Sequence, residues 1–257
     1  MTLIAIGGAE DRIGDMPVLK RVLEESHRLK PHVLVITTAT SYPQDVANTY
    51  QNAFSTLGVT CDIAHITDSN KADASDFMKL ANTADVIFFS GGDQTKLATV
   101  FNDTNFLKLI SNHSHSQKVI AGTSAGAAIM SKLMITGGRP ENAFIKGEIR
   151  SATGFGLADN IIFDTHFLNR NRLPRLFNLV ASDPTKTGIG LDENTGIILK
   201  NDQSIEVIGN QNVTIVDGTN LHKNTLKHVR NGQKFTVDGF KVTTLKRGQK
   251  YLMPKTP

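Results

Sequence analysis

Four short apolar runs constrain this chain more than any other feature of its sequence. Leu3-Ile4-Ala5-Ile6, Val33-Leu34-Val35-Ile36, Val86-Ile87-Phe88-Phe89 and Val119-Ile120-Ala121 show no alternation of polar and apolar residues. A strand of that kind is buried on both faces, as in parallel sheets covered by helices. Thr60 to Ile66 reads as a further strand. Segments of helical spacing lie between the runs: Leu19 to Ser26, Val46 to Leu57, Phe77 to Ala81 and Phe106 to Ile110. Asp15 before Pro17 predicts the first helix start, as a capping residue followed by a first-turn proline. The alternation predicts an α/β fold, a doubly wound and mainly parallel sheet with helices on both faces.

After about Leu191 the pattern changes. Gly196-Ile197-Ile198-Leu199, Ser204-Ile205-Glu206-Val207 and Val213-Thr214-Ile215-Val216 sit between Asn, Asp and Gly, which predicts antiparallel strands with tight turns. No Pro/Gly/Ser-rich linker separates the two regions. The 257 residues are therefore expected to form one α/β domain, 1–257, with a β-rich part from about residue 195. No apolar run approaches the ~18–20 residues of a membrane span. Met1 to Ile6 enters a strand directly, so neither a signal peptide nor a membrane association is expected. The lone cysteine, Cys61, excludes an internal disulfide and fits a cytoplasmic chain. From Lys223 onward the chain carries nine of its 28 Lys/Arg and one of its 24 acids. These charges alternate with Val, Phe, Leu and Gly, as on the wet face of a sheet, and lack the aromatic interleaving that stacks bases. Nucleic-acid binding is not expected.

Gly122-Thr123-Ser124-Ala125-Gly126 follows the apolar run at Val119 and precedes the helical Ala125 to Met130. Gly-x-Ser-x-Gly in that setting is a nucleophile elbow, a sharp turn that exposes the serine oxygen at the carboxyl end of the sheet. The Ala125 N–H is then placed for an oxyanion hole. The alternative is a glycine-rich turn whose serine caps a helix and holds an anion. A nucleophilic serine needs a base, and the base an orienting acid. Of eight histidines, His166 is singled out because it ends the apolar run Ile161-Ile162-Phe163. His113 and His115 read as loop residues. Asp164 precedes His166 by two and so shares its face of the strand. Downstream, Asp192 and Glu193 end another apolar run. Adjacent strand residues point to opposite faces, so one of them can orient His166; both also suit plain turn chemistry before Asn194-Thr195-Gly196.

Five segments together carry a family resemblance: Ile6-Gly7-Gly8-Ala9-Glu10-Asp11, Ser90-Gly91-Gly92-Asp93-Gln94, Gly122 to Ala128, Asp164-Thr165-His166-Phe167 with Arg170, Arg172 and Arg175, and Gly188 to Glu193. The chain resembles the cyanophycinases, serine peptidases of the class I glutamine amidotransferase-like (flavodoxin-like) fold. The resemblance implies Ser124 as nucleophile, His166 as base and Glu193 as orienting acid. It implies an oxyanion hole from Ala125 and a backbone N–H at Gly92 or Asp93. Gln94, Asp164, Thr165, Arg170, Arg172 and Arg175 match the substrate pocket; Asp164 would take a substrate guanidinium and the arginines free carboxylates.

The activity so implied is that of a serine exopeptidase releasing β-aspartyl-arginine from cyanophycin, a poly-aspartate with arginine on each side chain, through an acyl-enzyme on Ser124. Thr165 stands where the family pattern usually has glutamine, so another aspartyl or isoaspartyl dipeptide is an alternative substrate. A non-catalytic anion-binding protein is a third reading. The resemblance also implies a homodimer. With no Walker loop, metal-ligand cluster or Gly-x-Gly-x-x-Gly unit, neither metal nor cofactor is expected.

Overall fold

The computed structural model describes residues 2–112, 118–200 and 203–253, so His113 and His115 lie outside the described residues. The chain begins with β1 (Thr2–Ile6), α1 (Pro17–Glu24), β2 (Val33–Ile36), α2 (Pro43–Thr56) and β3 (Cys61–Ala64). Next come α3 (Ser69–Ala72), α4 (Ser75–Thr83), β4 (Val86–Phe89), α5 (Gln94–Phe101), α6 (Asn105–Ser111) and β5 (Val119–Thr123). These five strands form a parallel sheet in the order β1-β5-β4-β2-β3.

β1, β2, β4 and β5 are buried on both faces, as their unbroken apolar sequences require, whereas β3 at the sheet edge exposes Asp62. Ile4, Val33, Val35, Val86 and Phe88 pack with Val18, Leu19 and Val22 of α1 and Tyr50 and Phe54 of α2. Their alternate neighbours, Leu3, Leu34, Ile36, Ile87 and Phe89, pack with Phe77, Leu97 and Phe106 of α4, α5 and α6 on the other face. The fold is thus α/β, a mostly parallel sheet flanked by helices. Asp15 does not cap α1. Met16 takes the N-cap in a left-handed conformation, and Asp11 organises the approach by accepting the N–H groups of Ile13, Gly14 and Met16. Those backbone donors hold the Asp11 carboxyl down at about 2.

The second half contains α7 (Ala125–Ala128), β6 (Leu133–Gly137), β7 (Arg150–Thr153), β8 (Ile161–Thr165), α8 (Leu173–Ser182) and β9 (Thr187–Leu191). It continues with β10 (Thr195–Leu199), β11 (Ser204–Gly209), β12 (Asn212–Asp217), β13 (Lys223–Asn224), β14 (Val237–Asp238), β15 (Lys241–Lys246) and β16 (Lys250–Leu252). The antiparallel strands expected here divide between two sheets. β10, β11 and β16 extend the parallel sheet beyond β1, each antiparallel to the strand before it. β12 and β15 join the parallel pair β8 and β9 in a second sheet of order β15-β12-β9-β8. His166 therefore follows a strand of this second sheet. The edge of β1 is already occupied by β10, whose register runs from Leu3 opposite Leu199 to Ile6 opposite Gly196.

The elbow sits where backbone meets backbone. A Cβ on Gly126 would fall 2.2 Å from the Phe89 carbonyl oxygen, and one on Gly122 2.2 Å from the Gly126 carbonyl oxygen. Neither contact can relax without moving a sheet strand. Gly126→Ala is therefore expected to cost about 1–3 kcal/mol or more in urea unfolding. Gly58→Ala, in open space with a φ of +77°, should cost only the conformational term, about 1–2 kcal/mol. An unchanged urea midpoint for Gly126→Ala would contradict the close approach.

Candidate active site

Ser124 joins β5 to α7 with φ 52° and ψ −110°, a sparsely allowed backbone for a residue with a Cβ. Its N–H donates to the Ile6 carbonyl at 2.9 Å, so the end of β1 holds the turn. β8 ends at Thr165, and His166 follows with φ 48°, its N–H donating to the Gly7 carbonyl at 2.7 Å. Asn194, also left-handed, donates its N–H to the Gly8 carbonyl at 2.8 Å, which brings Glu193 alongside. Gly8 has no room for a side chain: a Cβ there would lie 2.4 Å from His166 Nε2.

The three side chains form one hydrogen-bonded chain. Ser124 Oγ is 3.0 Å from His166 Nε2, and His166 Nδ1 is 2.7 Å from Glu193 Oε1. The carboxylate beside Nδ1 assigns the proton to that nitrogen and leaves Nε2 to accept from the serine hydroxyl. Asp192 turns away, its Oδ1 accepting the Leu168 N–H at 2.9 Å. Burial lowers the His166 pKa and the positive Arg170 and Arg172 add to that, while Glu193 opposes them.

The expected oxyanion donors are not equivalent. The Asp93 N–H is spent on the Ala39 carbonyl at 2.9 Å, which removes it from that role. The Gly92 and Ala125 N–H groups have no protein acceptor among the described residues. Gly91 lies against Ser124, where a Cβ would be 3.4 Å from the Ser124 Cβ, and Gly92 has a φ of +143° against the Ala39 backbone.

A cavity of about 330 Å³ opens on Ser124 and is lined by Gln94, Asp164, Thr165, Arg170, Arg172 and Arg175 among others. Asp164 differs from expectation. Both its oxygens are taken by Arg175, Nε donating to Oδ2 at 2.7 Å and the second guanidinium nitrogen to Oδ1, and the pair is buried. An acid bound in this way is not open to a substrate cation. It borders the cavity, but its position two residues before His166 does not put the two side chains on one strand face, because His166 turns left-handed. Arg172 donates to the Thr165 carbonyl at 2.6 Å and lies 3.7 Å from Asp164. Burial, with Arg175 beside it, pushes the Arg172 guanidinium down to about 10. Gln94 donates to the Ile135 carbonyl at 2.7 Å, and Arg170 stays exposed.

Glu10 was legible only as one letter of a matched segment, yet it lies beneath the elbow. It is buried and accepts from Tyr50 Oη and Thr123 Oγ1, both at 2.5 Å. Tyr50 and Thr123 lie 40 and 113 residues away in sequence, and no local pattern links them. Among the described residues no His/Cys/Asp/Glu group is arranged to hold a metal ion, and no helix is long and apolar enough to cross a membrane.

A model of peptidase family S51 matches residues 3–207. The cyanophycinase of Trichormus variabilis is 32% identical over 251 residues, 97% of this chain and 84% of that protein. The cyanophycinase of Synechococcus elongatus is 31% identical, covering 97% of this chain and 78% of that one. A peptidase from an acI-B1 Actinobacterium has the same fold, with a TM-score of 0.75 at 21% identity over 98% of this chain and 96% of that one.

Two outcomes follow from the geometry. The His166 ring should titrate below the 6.5 of an ordinary imidazole in an NMR titration. Glu193→Gln should move it lower still, because the removed carboxylate favours the cation; a midpoint above 6.5 contradicts the burial argument. Arg175→Ala leaves Asp164 buried without its partner and should cost about 3–5 kcal/mol in urea unfolding. Arg172→Ala should cost about 1 kcal/mol, and equal losses would mean that the two arginines share the acid.

Proposed function

The chain belongs to peptidase family S51, and from that premise we propose that it is a serine-type exopeptidase acting on aspartyl peptides through an acyl-enzyme on Ser124. The observation that carries the reading is the hydrogen-bonded chain Ser124, His166, Glu193, with spacings of 3.0 and 2.7 Å. Ser124 Oγ attacks the scissile carbonyl while its proton passes to His166 Nε2. Glu193 keeps the ring in the required tautomer and stabilises the imidazolium. The Gly92 and Ala125 N–H groups receive the oxyanion. As the C–N bond breaks, the proton on Nε2 passes to the departing nitrogen, and water then hydrolyses the ester by the same route in reverse. The strained turn at Ser124 exposes the oxygen before substrate arrives, so orientation costs little at the moment of reaction.

Cyanophycin is the substrate class that the relatives named cyanophycinase bring to this chain. Its carboxylates suit the positive wall of Arg170 and Arg172, and, with Asp164 committed to Arg175, its guanidinium suits the exposed Asp93 carboxylate of the same cavity through Oδ2, since Oδ1 caps α5 by accepting the Thr95 N–H and hydroxyl. A second substrate reading has its own observation. Thr165 stands where the cyanophycinase pattern usually has glutamine, so one amide contact is missing and a smaller aspartyl or isoaspartyl dipeptide fits as well. A silent anion-binding turn would not need a histidine bonded to both serine and glutamate.

Incubation with cyanophycin and with aspartyl dipeptides, products read by mass spectrometry, tests the reading. β-Aspartyl-arginine is expected from the unaltered protein and none from Ser124→Ala. Glu193→Gln should lower turnover about 10⁴-fold. Thr165→Gln should raise cyanophycin turnover if the missing amide limits it. A protein that leaves every peptide intact and fails to react with a fluorophosphonate probe is not a serine peptidase.

A further inference from the structure

Ser124 and His166 face a second cavity, of about 390 Å³, that none of the assignments above uses. Gly8, Ala9, Glu10, Arg12 and Tyr50 line it, and Arg170 reaches it as well as the first cavity. Gly8 packs against the His166 edge that bears Nε2, where a Cβ would be 2.4 Å from both Cε1 and Nε2. The cavity therefore opens beside the nitrogen that returns a proton to the departing amine. Of the two oxyanion donors, Gly92 borders both cavities, while Ala125 lines only the other one, together with Phe163 and Asp164, so the oxyanion hole faces that side. The acyl half of a substrate then belongs in the first cavity and the leaving half in the second.

Arg12 gives the second cavity its chemistry. The nearest described carboxylate oxygen, Glu10 Oε1, is 3.9 Å from Arg12 Nε, beyond hydrogen-bond distance. Glu10 is occupied elsewhere: Tyr50 and Thr123 each donate to it at 2.5 Å. The guanidinium lies over the Tyr50 ring, 5.5 Å from its centroid, with about a third of the side chain exposed. Asp11, which accepts three backbone N–H groups, fixes the loop that carries it. Arg12 is thus held by stacking, by long-range attraction and by a contact with the Tyr50 hydroxyl, and no described acceptor takes its planar fork in a two-point hydrogen bond. A free carboxylate is the group that matches such a fork in two-point fashion.

We propose that this second cavity is the leaving-group subsite and that Arg12 receives the free α-carboxylate of the departing aspartyl unit. The inference rests on the peptidase reading and adds to it the residue that selects a chain end. As the acyl C–N bond breaks and Ser124 keeps the acyl group, the amine carrying that carboxylate leaves through this cavity with the proton from His166. An internal aspartyl unit has its α-carboxyl in a peptide bond and offers Arg12 no charge.

Binding tests the proposal without turnover. Calorimetry on Ser124→Ala, with β-aspartyl-arginine and its aspartyl α-amide as probes, is compared with the same measurement on Ser124→Ala/Arg12→Met. Amidation alone, or Arg12→Met alone, should weaken binding about ten- to a hundredfold, and the two together no more than either one. Equal binding of acid and amide, or an Arg12→Met loss of the same size for both, overturns the assignment. In the protein with Ser124 intact, Arg12→Met should slow acylation by the carboxylate-bearing peptide and leave hydrolysis of the acyl-enzyme unchanged. Slowed hydrolysis instead would place Arg12 on the acyl side and overturn the assignment. Failure of the peptidase reading is seen separately, as absence of products from the unaltered protein.

Discussion

Three consecutive carbonyls at the end of the first strand hold the site together. Ile6 accepts the Ser124 N–H, Gly7 the His166 N–H and Gly8 the Asn194 N–H, at 2.9, 2.7 and 2.8 Å. The donors come from the parallel sheet, from the second sheet and from the turn after β9, so one short stretch of backbone sets the registers of Ser124, His166 and Glu193 against one another. All three donor residues are non-glycine with positive φ: 52° at Ser124 and 48° at His166 and Asn194. Each such conformation costs about 1–3 kcal/mol and persists only where its surroundings over-determine it. The β1 carbonyls supply that constraint. They also explain why glycine follows β1: a side chain on Gly7 would meet the Leu191 and Asp192 carbonyls, and one on Gly8 the His166 ring.

Much of this was readable beforehand because it is local. Unbroken apolar runs specify doubly buried strands, and a serine flanked by glycines between such a run and a helix specifies an elbow. What escaped is non-local. Nothing near Ile161 to Thr165 or Thr187 to Leu191 in sequence says that β8 and β9 pair with each other and with β12 rather than enlarging the sheet of β1. That choice follows from β10 folding back on β1, a pairing across almost 200 residues. Asp93 could not be told from Gly92 as a donor without knowing that Ala39 lies opposite its N–H. Asp164 could not be assigned an interior role from its spacing to His166. The alternation rule that placed both on one face lapses when the second residue turns left-handed.

The electrostatics follow from where the cations are anchored. Arg175 is consumed by Asp164, a buried pair whose net stabilisation is small but whose rupture is costly. It serves as a fixed post beside Arg172, which bonds to the Thr165 carbonyl and lies 3.7 Å from the same carboxylate. Arg170, exposed and common to both cavities, and Arg172 then face the space next to Ser124. Four arginines, counting Arg12, thus surround Ser124, and in the proposed reaction its partner His166 must start neutral.

The two demands on those arginines agree. A cation near His166 disfavours its imidazolium, so Arg170 and Arg172 push the ring in the same direction as burial does. A base kept neutral to lower pH can accept the serine proton over a wider range. The same cations attract carboxylates, so the substrate itself changes the balance. A bound carboxylate cancels part of the positive field and makes the imidazolium cheaper just when the serine proton arrives on it. Glu193 at 2.7 Å acts in the same sense from the other side of the ring. The resting site is therefore biased toward the neutral imidazole and the occupied site toward its protonated form, which is the order in which the proposed reaction would use them. A lysine-based positive wall would supply the same sign of field. Only guanidinium groups, with planar forks, combine that field with a fixed orientation for the carboxylate that relieves it.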